Sequence, residues 1–236
     1  FKHKNVAFSL SVSAIENKDL QKKIQLALKD VFKGFISCST ECISIEFIFT
    51  DNIESFIVDK EFIRVKDVKV GKTQTHFKDR ELDFLIDNSN KFKVYINVSD
   101  NETLKSSLRI FNKAFKNNIE LQITTFYYRI FLLFTQIWNV ENNCSYVHAS
   151  AIEVNGESIL FTADSGVGKS SLLFKLSQDD NFKFIADDLT IISDQAESYY
   201  QGRCLSVKPY HLSFYNFLAD RLSLLMTRMQ KLQWKF

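Results

Sequence analysis

The sequence predicts a mixed α/β chain in two parts, an α+β domain over residues 1–140 followed by an α/β domain over 141–236. Three observations carry this expectation. Short runs alternate apolar and polar residues as half-buried strands do, a longer early segment repeats its apolar residues at helical spacing, and near Asn139 the pattern changes to closely spaced strands joined by short turns.

Taken in order, VAFSLSVSAI at 6–15 reads as a strand, ENKDLQKKIQLALKDVFKGF as a helix ending near Gly34, and CISIEFIFT at 42–50 as a second strand. FIRVKDVKV, ELDFLID and KFKVYINV read as further strands, and a helix is expected from Leu104 to Lys116. The segment ITTFYYRIFLLFTQIW at 123–138 is the most apolar. It is interrupted by Arg129 and falls short of the roughly 20 residues that cross a bilayer, so it reads as a buried helix and no membrane span is expected.

After the polar run NVENNCS come the strand YVHASAIEV, the dipeptide Asn155-Gly156 and the strand SILFTA. Asn-Gly between apolar runs predicts a type I′ hairpin, because both central residues of that turn need positive φ. ADSGVGKSSLLFKL then reads as a turn entering a helix, and FKFIADDLTIIS as another strand region.

The 236 residues are 45% hydrophobic and 25% charged, with one proline and six glycines, which excludes disordered and collagen-like classes. The 23 phenylalanines supply core-filling bulk. A formal charge of +2 gives no phosphate-backbone footprint, so no nucleic-acid partner is expected. Cys38, Cys42, Cys144 and Cys204 lack both disulfide-scaffold density and zinc spacing, and they read as buried free thiols in a reducing cytoplasm. No export signal is visible after Phe1, so the Asn-x-Ser/Thr matches at Asn97, Asn101 and Asn143 carry little weight.

Chemistry concentrates at 163–170, where Ala163, Asp164, Ser165, Gly166, Val167, Gly168, Lys169 and Ser170 match the Walker A pattern except at its first position, alanine instead of glycine. Such a loop aims backbone N–H groups at phosphate, adds the positive end of a helix, and uses glycines for close approach. Lys169 then reaches the outer phosphates of ATP, and Ser170 offers a hydroxyl to Mg2+. Alanine fits the first position if φ there is negative. Read without this chemistry, the segment is a strand-to-helix turn with a surface lysine.

Asp187 and Asp188 end the strand FKFIADD, where a neighbouring strand returns acids beside the loop. One acid can hold metal while the other accepts a proton; read blandly, they cap a strand end. His148 lies on the strand before the loop, and its residue environment also fits a core histidine. Arg203, Lys208 and His211 follow the acids, fitting either phosphate contact or ordinary surface and turn positions. Arg221 and Arg228 lie on a segment of helical spacing and receive no role.

YVHASAIEVNGESILFTADSGVGKSSLLFKL followed by FKFIADDLTII resembles the catalytic core of HPr kinase/phosphorylase and its relatives, a branch related to phosphoenolpyruvate carboxykinases. The resemblance covers about residues 146–193 and implies a P-loop fold of that type over 141–236, in compact or truncated form. It implies that Asp187 is the general base for a substrate hydroxyl, that Asp188 joins Ser170 on magnesium, and that His148 and Lys169 take part near the reacting groups. Ser171 stands where HPr kinases usually have glutamate, which places the chain nearer the broader HPr-kinase-like set, linked to peptide or small hydroxylated substrates.

The expected function is therefore transfer of the γ-phosphoryl group of ATP, with Mg2+, to a hydroxyl on a protein, peptide or small molecule. The alternatives are an ATPase and a nucleotide-binding regulatory module without turnover. Related kinases oligomerise, so a homo-oligomer fits the same expectation.

Overall fold

The computed structural model describes residues 2–3, 6–33, 35, 45–78, 82–99, 118–164, 166–200, 202, 205, 207 and 209–225. Gly34, Cys38, Cys42, Asn101, the expected helix over 104–116, Ser165, Arg203, Cys204, Lys208 and Arg228 lie outside the described residues. The fold is mixed α/β. It divides into two compact units, Phe1–Thr135 and Gln136–Phe236, where the sequence suggested a boundary at 140/141.

In the first unit, β1 (Lys2–His3), β2 (Val6–Ala14), β3 (Ile45–Thr50), β4 (Ile63–Val65), β5 (Val68–Val70), β6 (Gln74–Lys78), β7 (Asp83–Asp87) and β8 (Lys93–Asn97) form one sheet. Its order is β1-β2-β3-β8-β7-β6-β5-β4. The strands β2, β3 and β8 run parallel, and the remaining pairs are antiparallel. A parallel pair needs a crossover, which α1 (Lys18–Val31) supplies between β2 and β3. The helix starts two positions after Glu16 because the Asn17 side chain accepts from the N–H groups of Asp19 and Leu20 at 2.9 and 3.1 Å. Leu20, Ile24, Ala27 and Leu28 form its buried face.

Phenylalanine fills this core, as its abundance suggested. Phe8 on β2 packs its ring on Phe131 at 4.7 Å, Phe47 meets Phe126 at 5.3 Å, and Phe32 meets Phe131 at 4.8 Å. Phe126 and Phe131 belong to a helical stretch made of α2 (Asn118–Phe126), a π-helical turn (Tyr127–Phe131) and α3 (Leu132–Glu141). The buried helix expected over 123–138 thus exists, with Arg129 on its exposed side. Among the described residues no helix is long and apolar enough to cross a membrane.

Two expectations change here. FIRVKDVKV is two short strands, β4 and β5, because Lys66 adopts φ 54° and turns the chain between Val65 and Val68. Strand β6 escaped the pattern because its inward residues are Gln74 and His76. Hydrogen bonds replace apolar contact at both: Gln74 accepts from the Val58 N–H at 2.7 Å and donates to the Phe56 carbonyl at 2.8 Å, and His76 Nε2 meets Asp83 Oδ1 at 2.7 Å. Burial would raise the Asp83 carboxyl, but hydrogen bonds from Lys78 and His76, the Lys78 charge and the Asn97 amide outweigh it and hold the carboxyl below its ordinary range.

Among the described residues the second unit forms two three-stranded sheets. β10 (Ala149–Val154) is central to one, flanked by β11 (Glu157–Thr162) and β12 (Phe182–Ala186); β13 (Thr190–Ser193) is central to the other, flanked by β9 (Cys144–Val147) and β14 (Ser198–Tyr199). The predicted hairpin joins β10 to β11, with Asn155 at φ 53° and Gly156 at φ 87°, both positive as a type I′ turn requires. Helices α4 (Lys169–Leu176), α5 (Pro209–Phe214) and α6 (Asn216–Leu225) complete the described elements of this unit. Cys144 is buried, its thiol donating to the Asn142 carbonyl at 3.6 Å.

Candidate functional site

The expected strand YVHASAIEV is two strands in two sheets, β9 and β10, with His148 at the break. Opposite it, the region FKFIADDLTIIS breaks into β12 and β13 at Asp187, Asp188 and Leu189. Since β9 pairs with β13 and β10 with β12, one antiparallel ribbon is interrupted on both strands at the same level. The Thr190 hydroxyl donates to the Ala149 carbonyl at 2.9 Å and fastens the two sides at the break.

A three-residue turn creates the acid-side break. The Leu189 N–H donates to the Asp187 carbonyl at 2.9 Å, and Asp188 between them has φ 71°. Positive φ is uncommon outside glycine, and aspartate is among the residues enriched there. The consequence is that two adjacent acids face different surroundings. Asp187 is 6% exposed, whereas the Asp188 side chain is 57% exposed and sits with its Oδ1 3.4 Å from His148 Nε2, itself 54% exposed.

The carboxylate of Asp187 is held by two serines. Ser150 on β10 donates its hydroxyl to Oδ1 at 2.8 Å, and the Ser170 hydroxyl lies 3.0 Å from Oδ1 and 2.9 Å from Oδ2. Ser170 belongs to the first turn of the eight-residue helix α4, which follows directly from β11 and the loop 163–168. Strand, loop, helix and returning acid therefore meet, as the spacing led one to expect.

The loop's backbone explains its glycines. Gly166 has φ 86° and Gly168 has φ 105°, conformations L side chains rarely adopt, while a Cβ at either would touch nothing within 4 Å. Conformation, not crowding, requires glycine at both. Ala163 is not among the described residues with positive φ, so alanine is unstrained where the pattern has glycine. Gly168 is the N-cap of α4 and offers no side-chain acceptor, which leaves the first-turn N–H groups without a side-chain cap. The Lys169 ammonium donates to the Ala163 and Asp164 carbonyls at 2.6 and 3.3 Å, folding back over its own loop.

Of the residues singled out from sequence, Lys169, Ser170, Asp187, Asp188 and His148 line this junction, with Ala163, Asp164, Gly166, Val167 and Gly168 in the loop; Ser165 lies outside the described residues. Ser171 contributes its backbone: its carbonyl accepts from the Tyr215 hydroxyl at 2.7 Å, tying α4 to the residue between α5 and α6. His211 is fully buried, with its ring 4.6 Å from that of Phe174 on α4, so it packs against the helix.

Ser150 and Tyr215 went unnoticed in the sequence. A lone hydroxyl in the apolar run ASAI was the available signal for Ser150, since a buried serine needs a partner. Two residues before His148, Tyr146 accepts from the Asn139 amide at 3.1 Å. Burial pushes its phenol up to about 12 despite that hydrogen bond, so it stays neutral and offers no base.

No family model, curated protein or solved structure matches the chain. Among the described residues no group of three or more His, Cys, Asp or Glu side chains is arranged to hold a metal ion.

Proposed function

We propose that this chain is an ATP-dependent kinase that transfers the γ-phosphoryl group to a hydroxyl on a protein, peptide or small molecule. The observation that carries the reading is the Ser170 hydroxyl at 2.9 Å from Asp187, at the start of a helix opened by Gly166, Gly168 and Lys169. Hydroxyl and carboxylate oxygens suit Mg2+, which takes one or two protein oxygens and completes its shell with phosphate oxygens and water. A site of this kind has no need of three carboxylate or imidazole ligands.

In this reading the first-turn N–H groups of α4 and the positive-φ glycines receive the phosphates. Lys169 exchanges its carbonyl partners for phosphate oxygens, an exchange favoured by the anionic charge of the incoming groups. Magnesium, when bound with ATP, neutralises charge on the phosphates. The acids supply one carboxylate for the metal side and one for the acceptor proton. Catalysis is then mainly positioning and electrostatic stabilisation of the transferring group. A cytoplasmic setting belongs to the same proposal, supported by the sparse cysteines, which lack the spacing of a disulfide scaffold.

The test is ATP titration with and without Mg2+, followed by a phosphate-transfer screen over protein, peptide and small hydroxylated acceptors, with mass spectrometry to locate the phosphate. Magnesium-dependent ATP binding and transfer, both lost in Lys169→Ala, are the expected results. Equal ATP turnover with and without any acceptor would replace the kinase with an ATPase. Binding without turnover would leave a regulatory module, and no magnesium-dependent binding would overturn the nucleotide site itself.

A further inference from the structure

We infer that the two acids divide their work in the opposite way to that implied by the family resemblance: Asp187 serves the metal side with Ser170, held in place by Ser150, and Asp188 beside His148 takes the acceptor proton. The inference rests on the kinase reading and assigns roles within it.

Three features of Asp187 suit a metal-side carboxylate and not an acceptor base. It is 6% exposed, so an acceptor hydroxyl on a protein or peptide has little access to it. Its oxygens are already engaged, Oδ1 by Ser150 at 2.8 Å and both oxygens by Ser170 at 3.0 and 2.9 Å. Its direct neighbour is the helix α4 hydroxyl at the loop that would receive the phosphates, and Mg2+ bound there would need an oxygen from each. Ser150, on a different strand, fixes the carboxylate's orientation from behind, as outer-shell partners of metal ligands do.

Asp188 has the complementary properties. The turn at φ 71° carries its side chain away from that of Asp187, leaving it 57% exposed. A backbone held in a sparsely populated conformation at a strand break is the kind of strain found where a side chain must be aimed. His148 Nε2, 3.4 Å from Asp188 Oδ1, lies at the matching break of the other strand and can steady the carboxylate. Had Asp188 held the metal, its carboxylate would be expected against Ser170; the structure puts Asp187 there instead.

The proposed step balances without a further reactant. The acceptor O–H bond breaks and its proton passes to the Asp188 carboxylate. The acceptor oxygen forms a bond to the γ-phosphorus, while the bond from that phosphorus to the β,γ-bridging oxygen breaks and its electron pair leaves with ADP. Asp188 then returns the proton to solvent.

The experiment compares Asp187→Asn, Asp188→Asn and Ser150→Ala with the wild type, reading ATP affinity with and without Mg2+, Mn2+ binding in the ATP complex by electron paramagnetic resonance, and transfer rate against pH. Asp187→Asn should reduce metal-dependent ATP affinity by roughly tenfold or more, and Ser150→Ala should weaken it by about tenfold without moving the pH profile of transfer. Asp188→Asn should keep metal-dependent affinity within about twofold but lower transfer by about 10²–10⁴-fold. If Asp187→Asn does not fold, Ser150→Ala and Asp188→Asn still decide the matter. Loss of metal-dependent affinity in Asp188→Asn, or its full retention in both Asp187→Asn and Ser150→Ala, would overturn the division while leaving the kinase intact. A wild type without magnesium-dependent ATP binding would overturn the kinase reading instead, and with it this inference.

Discussion

Ser150 and Asp187 are 37 residues apart in the chain and 2.8 Å apart in the fold, joined by a hydrogen bond between two buried groups. A hydroxyl donated to a buried carboxylate is expensive to remove, because the carboxylate keeps its desolvation and loses a donor. Ser150→Ala should therefore lower stability by about 1–3 kcal/mol in urea unfolding at neutral pH. A loss below the error of extrapolation would show that Ser170 alone satisfies Asp187.

Lys169 offers a contrast. Among the described residues its ammonium bonds to the loop carbonyls of Ala163 and Asp164, so its truncation opens no core. Lys169→Ala should change unfolding free energy by about 0.5 kcal/mol or less, while magnesium-dependent ATP affinity falls by tenfold or more, as expected for losing a charge-assisted phosphate contact (~1.5–3 kcal/mol). Calorimetric titration beside urea unfolding separates the two effects.

Gly168→Ala tests the loop's backbone. At φ 105°, with nothing within 4 Å of the added Cβ, the substitution meets only conformational strain. It should cost about 1–2 kcal/mol and reduce nucleotide affinity with it, whereas Ala163→Gly, at a position without positive φ, should not improve affinity by more than about twofold.

In the first unit, acid should act through Asp83. Its folded-state carboxyl lies below the ordinary value of 3.8, so its stabilisation is present above the unfolded value and is lost as pH falls through the lower folded value. Asp83→Asn should flatten the dependence of stability on pH below about 4. At pH 7 it should destabilise the unit by about 1–3 kcal/mol, since the His76 ring stays buried with its hydrogen-bonded carboxylate replaced by an amide. Urea unfolding at pH 7 and pH 3 reads both effects.

Much of this was legible one residue at a time. The φ signs at Asn155 and Gly156 follow from Asn-Gly chemistry, the α1 face from its apolar spacing, and the loop's placement between β11 and α4 from glycines flanked by a strand and a helix pattern. Strand β6 was not legible, because pattern reading assumes that buried means apolar, whereas Gln74 and His76 are buried with hydrogen bonds to other segments of the chain. The break at His148 was hidden for a related reason: YVHASAIEV contains no glycine, proline or other turn signal, and only pairing with a partner strand that turns at Asp188 makes it change sheets.

The sequence by itself determined the local chemistry: which residues could turn, cap, pack a helix face or meet a phosphate, since these depend on side-chain type and near neighbours. Only the tertiary structure decided that Asp187 goes inward against Ser150 and Ser170 while Asp188 goes outward to His148. Two identical carboxylates side by side carry no such distinction in their own chemistry; it comes from the hydroxyls brought to one of them by other strands and from the turn that rotates the other away.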